Sequence, residues 1–308
     1  MRRLPRLIVL ALWCWAIPSF ALQPVPVARD VYTFLGDSGE PSIANGANTG
    51  NSGFIVGPQG VVVVDTGASY RHGRAMLDAI ARVTDKPVVL AIITHAVQDF
   101  LFGNAAFAER GIPLLSHAKS LDLMRSRCGH CLDNLKRLLG EEAMQGTRLV
   151  LPQQVISEST PLEVAGLHLQ LLHFGWGATP GDLVVFDPGS GVLFAGGLVS
   201  VNRVPELRDG KLQGWLHALA ELDNIEARWI VPGHGPVAQP SCIAALRRYL
   251  LALDAQVAGL YAAGRSLLEA VDEANLNAFS HWALYPAQHR KNVQQRYLEL
   301  ELRDLETQ

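Results

Sequence analysis

The sequence predicts a layered α/β domain followed by a helical C-terminal extension, and three observations carry that reading. Strand-like runs alternate with helical periodicity in the first half, through Val61-Val62-Val63-Val64, residues 71–83 and residues 87–94. The second half restarts with hairpins before returning to helix, so the two halves share one plan. From Ser241 onward the text is helical only. With 308 residues, 49% hydrophobic and 18% charged, the chain can bury one sizeable core.

In order along the chain, Arg2, Arg3 and Arg6 precede an apolar run over 7–17, followed by Pro18-Ser19-Phe20-Ala21. Basic flank, short apolar stretch and small residues before the cut predict a secretory signal over 1–21, removed after Ala21. That run is short for a bilayer span. The expected product is therefore periplasmic or secreted, with no membrane span after cleavage. Residues 22–51 are rich in Pro, Gly, Ser and Asn and read as an extended lead-in. Residues 54–56 and 61–65 form a hairpin around Gly57-Pro58-Gln59-Gly60. The four valines lack polar alternation, so their strand is buried on both faces. Met76, Ala79, Ile80 and Val83 recur at helical spacing, giving a helix over 71–83, and 87–94 returns to buried strand.

Helical text spans 104–139, interrupted by a strand at 112–115. A second hairpin joins 162–164 to 167–172 through Ala165-Gly166, with His168 and Gln170 alternating against Leu167, Leu169 and Leu171. A third joins 183–187 to 192–195 through Pro188-Gly189-Ser190-Gly191. A helix at 215–222 and a strand at 228–231 end a domain covering 22–240. Helices at 244–259, 266–274 and 290–305 make up the extension over 241–308. The formal net charge of −3, with no Lys/Arg-rich run, gives no electrostatic basis for binding nucleic acid.

Four loop segments follow strands or hairpins and can converge at one edge of the core. They are Thr94-His95-Ala96-Val97-Gln98-Asp99-Phe100, Thr179-Pro180-Gly181-Asp182, Phe194-Ala195-Gly196-Gly197 and Val231-Pro232-Gly233-His234-Gly235. Together with Val64-Asp65-Thr66-Gly67, their order and spacing resemble the metallo-β-lactamase superfamily. Leu207-Arg208-Asp209-Gly210 and Gly214-Trp215-Leu216 look most like its quinoprotein relay system branch, related to glyoxalase II-like hydrolases. The resemblance implies an αββα sandwich of two mixed β-sheets with helices outside. It also implies a zinc site built from histidines and aspartates, whose metal activates water.

This chain departs from that ligand set. His95 matches the first histidine, Asp99 the aspartate and His234 the last histidine. Val97, Phe100, Ala178 and Gly197 fall where the other ligands belong, and none of them donates an electron pair to a cation. A two-zinc centre is therefore not expected. Either no cofactor is bound, the favoured reading, or one zinc or iron ion is held by His95, Asp99 and His234. His117 or His173 would be substitute ligands, but a hydrogen-bonding role suits each better. Asp65, which by the resemblance supports the loop that carries the metal ligands in the superfamily, is expected to brace its loop here. Asp182 is expected to brace its turn.

Cys14 leaves with the signal, and Cys128, Cys131 and Cys242 then face an oxidising compartment, which predicts one disulfide and one odd thiol. Cys128-Gly129-His130-Cys131 sits between helical stretches, so a bridge tightening a helix–helix turn is the favoured pairing; redox traffic or metal binding with His130 are the alternatives.

Three functional readings follow. The first is an exported accessory or binding protein without hydrolysis, whose partner is a small molecule or a periplasmic protein, in a quinoprotein oxidation system if the branch resemblance holds. The second is a mononuclear hydrolase of thioesters or other acyl compounds, with Asp99 as general base. The third is a thiol-redox protein acting through Cys128 and Cys131.

Overall fold

The computed structural model describes residues 22–307; the expected signal, 1–21, lies outside the described residues. The first half contains β1 (Val25–Ala28), β2 (Val31–Phe34), β3 (Ser52–Val56), β4 (Val61–Val64), α1 (Tyr70–Val83), β5 (Val88–Ile93), α2 (Gln98–Leu101), α3 (Asn104–Glu109), β6 (Leu114–His117), α4 (Ala118–Leu139) and β7 (Gln154–Ile156). The second half contains β8 (Thr160–Val164), β9 (Leu167–Leu172), β10 (Val184–Asp187), β11 (Val192–Ser200), α5 (Leu212–Leu222), β12 (Trp229–His234), α6 (Cys242–Ala262), α7 (Leu267–Glu273) and α8 (Tyr285–Thr307).

Strands β1 to β7 form one sheet in chain order, and the other sheet runs β12-β11-β10-β9-β8. Both are mixed. In the first, β4, β5, β6 and β7 pair in parallel behind an antiparallel β1–β4 edge. In the second, only β11 and β12 are parallel.

The valine run shows why the sheets stack. Val62 and Val64 point into the layer between the sheets, beside Ile92, Leu171, Val185 and Phe194. Val61 and Val63 point outward against Met76 and Ile80 of α1. A strand covered on both faces needs no polar alternation. The outer face of the second sheet, with Val184, Leu193 and Ala195, packs against Trp215 of α5, Tyr249 and Leu250 of α6, and Val293 of α8. The layering is thus αββα, as the sequence leads one to expect, with further helices at the C-terminus.

Two local expectations are corrected. The lead-in over 22–51 contains the β1–β2 hairpin. Pro24 and Pro26 lack the amide donor, which suits β1 to its place at the sheet edge and disguises it as loop. The second correction concerns the cysteine pair. No helix–helix turn separates Cys128 from Cys131, because α4 runs unbroken through both. Both sulfurs are thiols. A bridge across one turn of a single helix would tie together only what the helix already holds, so a stapling disulfide has no second element to secure.

Ile243, Leu246, Tyr249, Leu250, Leu253 and Val257 of α6 are all buried in one core with the second sheet. A chain ending at Pro240 would leave that face uncovered, and exposed apolar area of that extent drives aggregation. Such a truncation is expected only in the insoluble fraction; a soluble fragment with a cooperative thermal transition would contradict this packing.

Candidate functional site

Two short hydrogen-bonded chains meet at one edge of the sandwich, where β4, β5, β11 and β12 end. The first begins at Asp65, which follows β4 with φ near 60°. Its carboxylate accepts from the Thr94 amide and the Thr94 hydroxyl, each at 2.8 Å, and the same hydroxyl lies 2.8 Å from His95 Nδ1. With the Thr94 hydroxyl donating to Asp65, His95 Nδ1 donates to Thr94 and its Nε2 keeps a lone pair. Burial pushes Asp65 up to about 8, against the opposing bonds from Thr94. Burial, helped by His234, pushes His95 down to about 3. His95 is neutral at ordinary pH.

The second chain is centred on Asp99, buried in α2. Its Oδ2 accepts from the Thr49 hydroxyl at 2.6 Å and lies 3.1 Å from His234 Nε2, which donates to it. Burial alone would raise the Asp99 carboxyl, but His234, the Thr49 hydroxyl and the Arg203 charge outweigh it and hold the group well below the usual carboxylate range. Burial and the Arg203 charge push His234 down. Asp99 is thus an ionised acceptor with its proton affinity suppressed, which makes it a poor general base. Asn51 fixes the loop that carries His234: its amide donates to the carbonyls of Pro232 and Gly235, both at 2.8 Å.

Between the two chains stands Phe100. Its fully buried ring lies 4.2 Å from the His95 ring and 5.3 Å from the His234 ring, centroid to centroid. Gly50 makes room for it, since a Cβ there would come within 2.6 Å of the phenyl ring. Gly197 does the same for His95, whose ring a Cβ would approach to 2.8 Å. Hence His95 and Phe100 occupy the space that larger side chains at 50 and 197 would need. Val97 and Ala178 line the adjoining cleft with hydrocarbon.

These residues do not fit the zinc that the superfamily usually binds. A metal needs three or four lone pairs aimed at one point. Here Asp99 and His234 bond to each other, and an aromatic ring packs against both histidines. Among the described residues, no three His, Cys, Asp or Glu side chains gather as metal ligands must. His117 and His173 do not compensate. Their rings stack on each other at 3.9 Å; His117 bonds to Ser157 and Lys119 backbone, and His173 Nδ1 to the Asp182 carbonyl. Asp182 holds its turn by accepting from the Thr179 amide and hydroxyl at 2.8 Å each.

The cleft beside His95, Asp99 and His234 has a cavity of about 280 Å³. Its walls carry Arg127, Arg203, Arg208 and Lys291 alongside Glu40, Asp99, Glu206 and Asp209, with Cys131 to one side. Arg127 and Arg208 both pair with Asp209, and Arg208 also reaches Glu206 at 3.3 Å. Thr49, Asn51 and Arg203 were not foreseen from the sequence. Thr49-Gly50-Asn51, small and polar just ahead of a buried strand, is the signal that could have marked the first two.

Two outcomes follow. Gly197→Ala should cost about 1–3 kcal/mol through overpacking against His95. In a His95→Ala background that cost should fall below about 1 kcal/mol, and additive losses in urea denaturation would refute the contact. His95 is neutral when folded but protonates in the unfolded chain below about pH 6.5, so its contribution to stability is lost as pH falls from there towards 3. Between pH 6.5 and 5, the unmutated protein should therefore lose about 1.6 kcal/mol more than His95→Gln. Parallel stability–pH curves would exclude a buried neutral His95.

Comparison with known proteins agrees with the layering and the order of the loops. The model of the Metallo-beta-lactamase superfamily matches residues 45–234. A linear primary-alkylsulfatase of Pseudomonas sp. (strain ATCC 19151) is 26% identical over 215 residues, which cover 59% of this chain but only 40% of that protein. The type 2 metallo-beta-lactamase of Bacillus cereus is 26% identical over 216 residues, covering 67% of this chain and 73% of the other. Among solved structures, the sec-alkylsulfatase Pisa1 from Pseudomonas sp. superposes with a TM-score of 0.71 at 16% identity, over 90% of this chain and 50% of that one. The metallo-beta-lactamase from Pontibacter korlensis gives 0.59 at 20% identity, over 74% of this chain and 99% of the other. With the family model spanning more than half of its length, the chain belongs to the metallo-beta-lactamase superfamily.

Proposed function

We propose that this chain is an exported, zinc-independent binding protein that keeps the hydrolase scaffold and its cleft without the hydrolytic metal. The observation that carries the reading is the buried ring of Phe100 packed against both His95 and His234. Hydrolysis in this fold depends on an ion that polarises substrate and delivers hydroxide, and the ring stands where donor atoms would have to converge. The cleft is still a binding surface. Its roughly 280 Å³ lies at the low end for ligand pockets, and the wall carries equal numbers of cationic and anionic side chains. That balance suits a small polar molecule with charges of both signs better than a lipid. Through the resemblance of residues 207–216, such a ligand, or a periplasmic protein bearing it, would belong to a quinoprotein oxidation system.

Metal content tests the reading. Protein purified without added metal and without chelator should carry well under about 0.1 zinc or iron per chain, and added zinc should leave its thermal midpoint unchanged. One or more tightly held ions per chain, removed by His234→Ala, would overturn it in favour of a metal-dependent hydrolase.

A further inference from the structure

The cysteine pair of α4 is not absorbed by the binding reading. Cys128 is buried beside Met124 and Leu135 in a core of its own half of the chain. Cys131, one turn further on, is half-buried and stands in the wall of the central cleft. The two thiols stand three positions apart on one helix, close enough for each to act on the other's acidity. Arg127 and Arg208 flank Cys131, with Asn134 and Asp209 on the same wall. One sulfur therefore faces whatever enters the cleft, among guanidinium groups, while its neighbour waits behind it.

We propose that Cys131 and Cys128 form a thiol–disulfide exchange pair, in which Cys131 attacks small polar disulfides entering the cleft and Cys128 resolves the adduct. In the first step the Cys131 thiolate bonds to one sulfur of the incoming disulfide, whose S–S bond breaks and releases one half as a thiolate. In the second, Cys128 gives its proton to water or to that departing thiolate and bonds to Cys131 Sγ, releasing the second half. The small disulfide is reduced to two thiols and the protein pair is oxidised to a disulfide.

The surroundings suit this division of labour. Hydrogen bonding from Cys128 holds the Cys131 thiol below its ordinary range; burial and Asp209 oppose, and the charges of Arg208 and Arg127 add to the lowering. The same bond and burial push Cys128 up, so it stays a thiol until called on. Residues three apart on a helix bring their Cβ atoms to about 5–6 Å, a little farther than an unstrained disulfide allows. Gly129 lies between them with open space around its Cα, so the turn can tighten there. A bridge closed under such strain is readily reopened, as exchange requires. Cys242 lies outside the cleft wall, and burial pushes it up to about 11.

The test uses the full chain carrying Cys14→Ser and Cys242→Ser, with 5,5′-dithiobis(2-nitrobenzoate) as a small charged disulfide. The pair should release two thionitrobenzoate ions per chain and retain no adduct by intact-mass spectrometry. Cys128→Ser should release one and keep the adduct on Cys131. Cys131→Ser should slow the first release at least about tenfold. Equal rates with and without Cys131, or a persistent adduct on the intact pair, would overturn the proposal. Should either variant fold poorly, brief iodoacetamide labelling of the unmutated protein at pH 6.5 decides: modification of Cys131 ahead of Cys128 and Cys242 supports it, and any other order sinks it. Neither readout involves metal, so this outcome stands apart from that of the zinc measurement.

Discussion

The site is governed by a single packing constraint, the phenyl ring of Phe100 seated among Gly50, His95 and His234. Once an aromatic ring fills that volume, polar atoms around it must find partners in the protein, because a buried donor or acceptor left alone costs about 1–3 kcal/mol. The pairing observed meets that demand. Thr94 joins His95 to Asp65, while Thr49 and His234 share Asp99. In a metal centre the cation would neutralise the buried carboxylate; here hydroxyl, imidazole and the nearby Arg203 do so. The polar remnants have thus become a hydrogen-bonded floor.

That the residues of this edge can vary without disturbing the fold follows from where they lie. Val62, Ile92, Leu171 and Phe194 hold the sheets together by burial alone, and none of these contacts passes through the edge that carries His95, Asp99 and His234. Layers made of apolar strands tolerate rewriting of their end loops, which is why fold and activity separate so easily in large families. The similarity to alkylsulfatases and β-lactamases therefore speaks for the sandwich, while the chemistry has to be argued from the cleft.

Much of this was legible in the sequence because burial leaves a simple mark. The unbroken valines announced a strand covered on both sides, and the spacing of Met76, Ala79 and Ile80 announced the helix outside it. That Val97, Phe100, Ala178 and Gly197 offer no electron pair to a cation could also be read directly, since side-chain chemistry belongs to the residue type. What could not be read was anything set by distant contacts. Thr49 reaches Asp99 across fifty positions, and Arg203 acts on the pair through its charge. Gly197 looked like a missing ligand, yet it is also a space required by the His95 ring. The cysteine motif misled for a local reason. Gly129 resembles a break, but it costs a helix only about 1 kcal/mol, and twenty-one better-placed neighbours carry α4 through it.

The arrangement of the cores has a consequence for how the molecule comes into being. Strands β2 to β6 and α1 can bury one another as soon as they are made, because their partners are close in the chain. The outer face of the second sheet has to wait for α6 and for Val293, Tyr297 and Leu300 of α8, all made well after the strands they cover. A nascent polypeptide therefore carries a sticky half-built sheet until α8 has emerged, which makes this stretch the natural client of a chaperone.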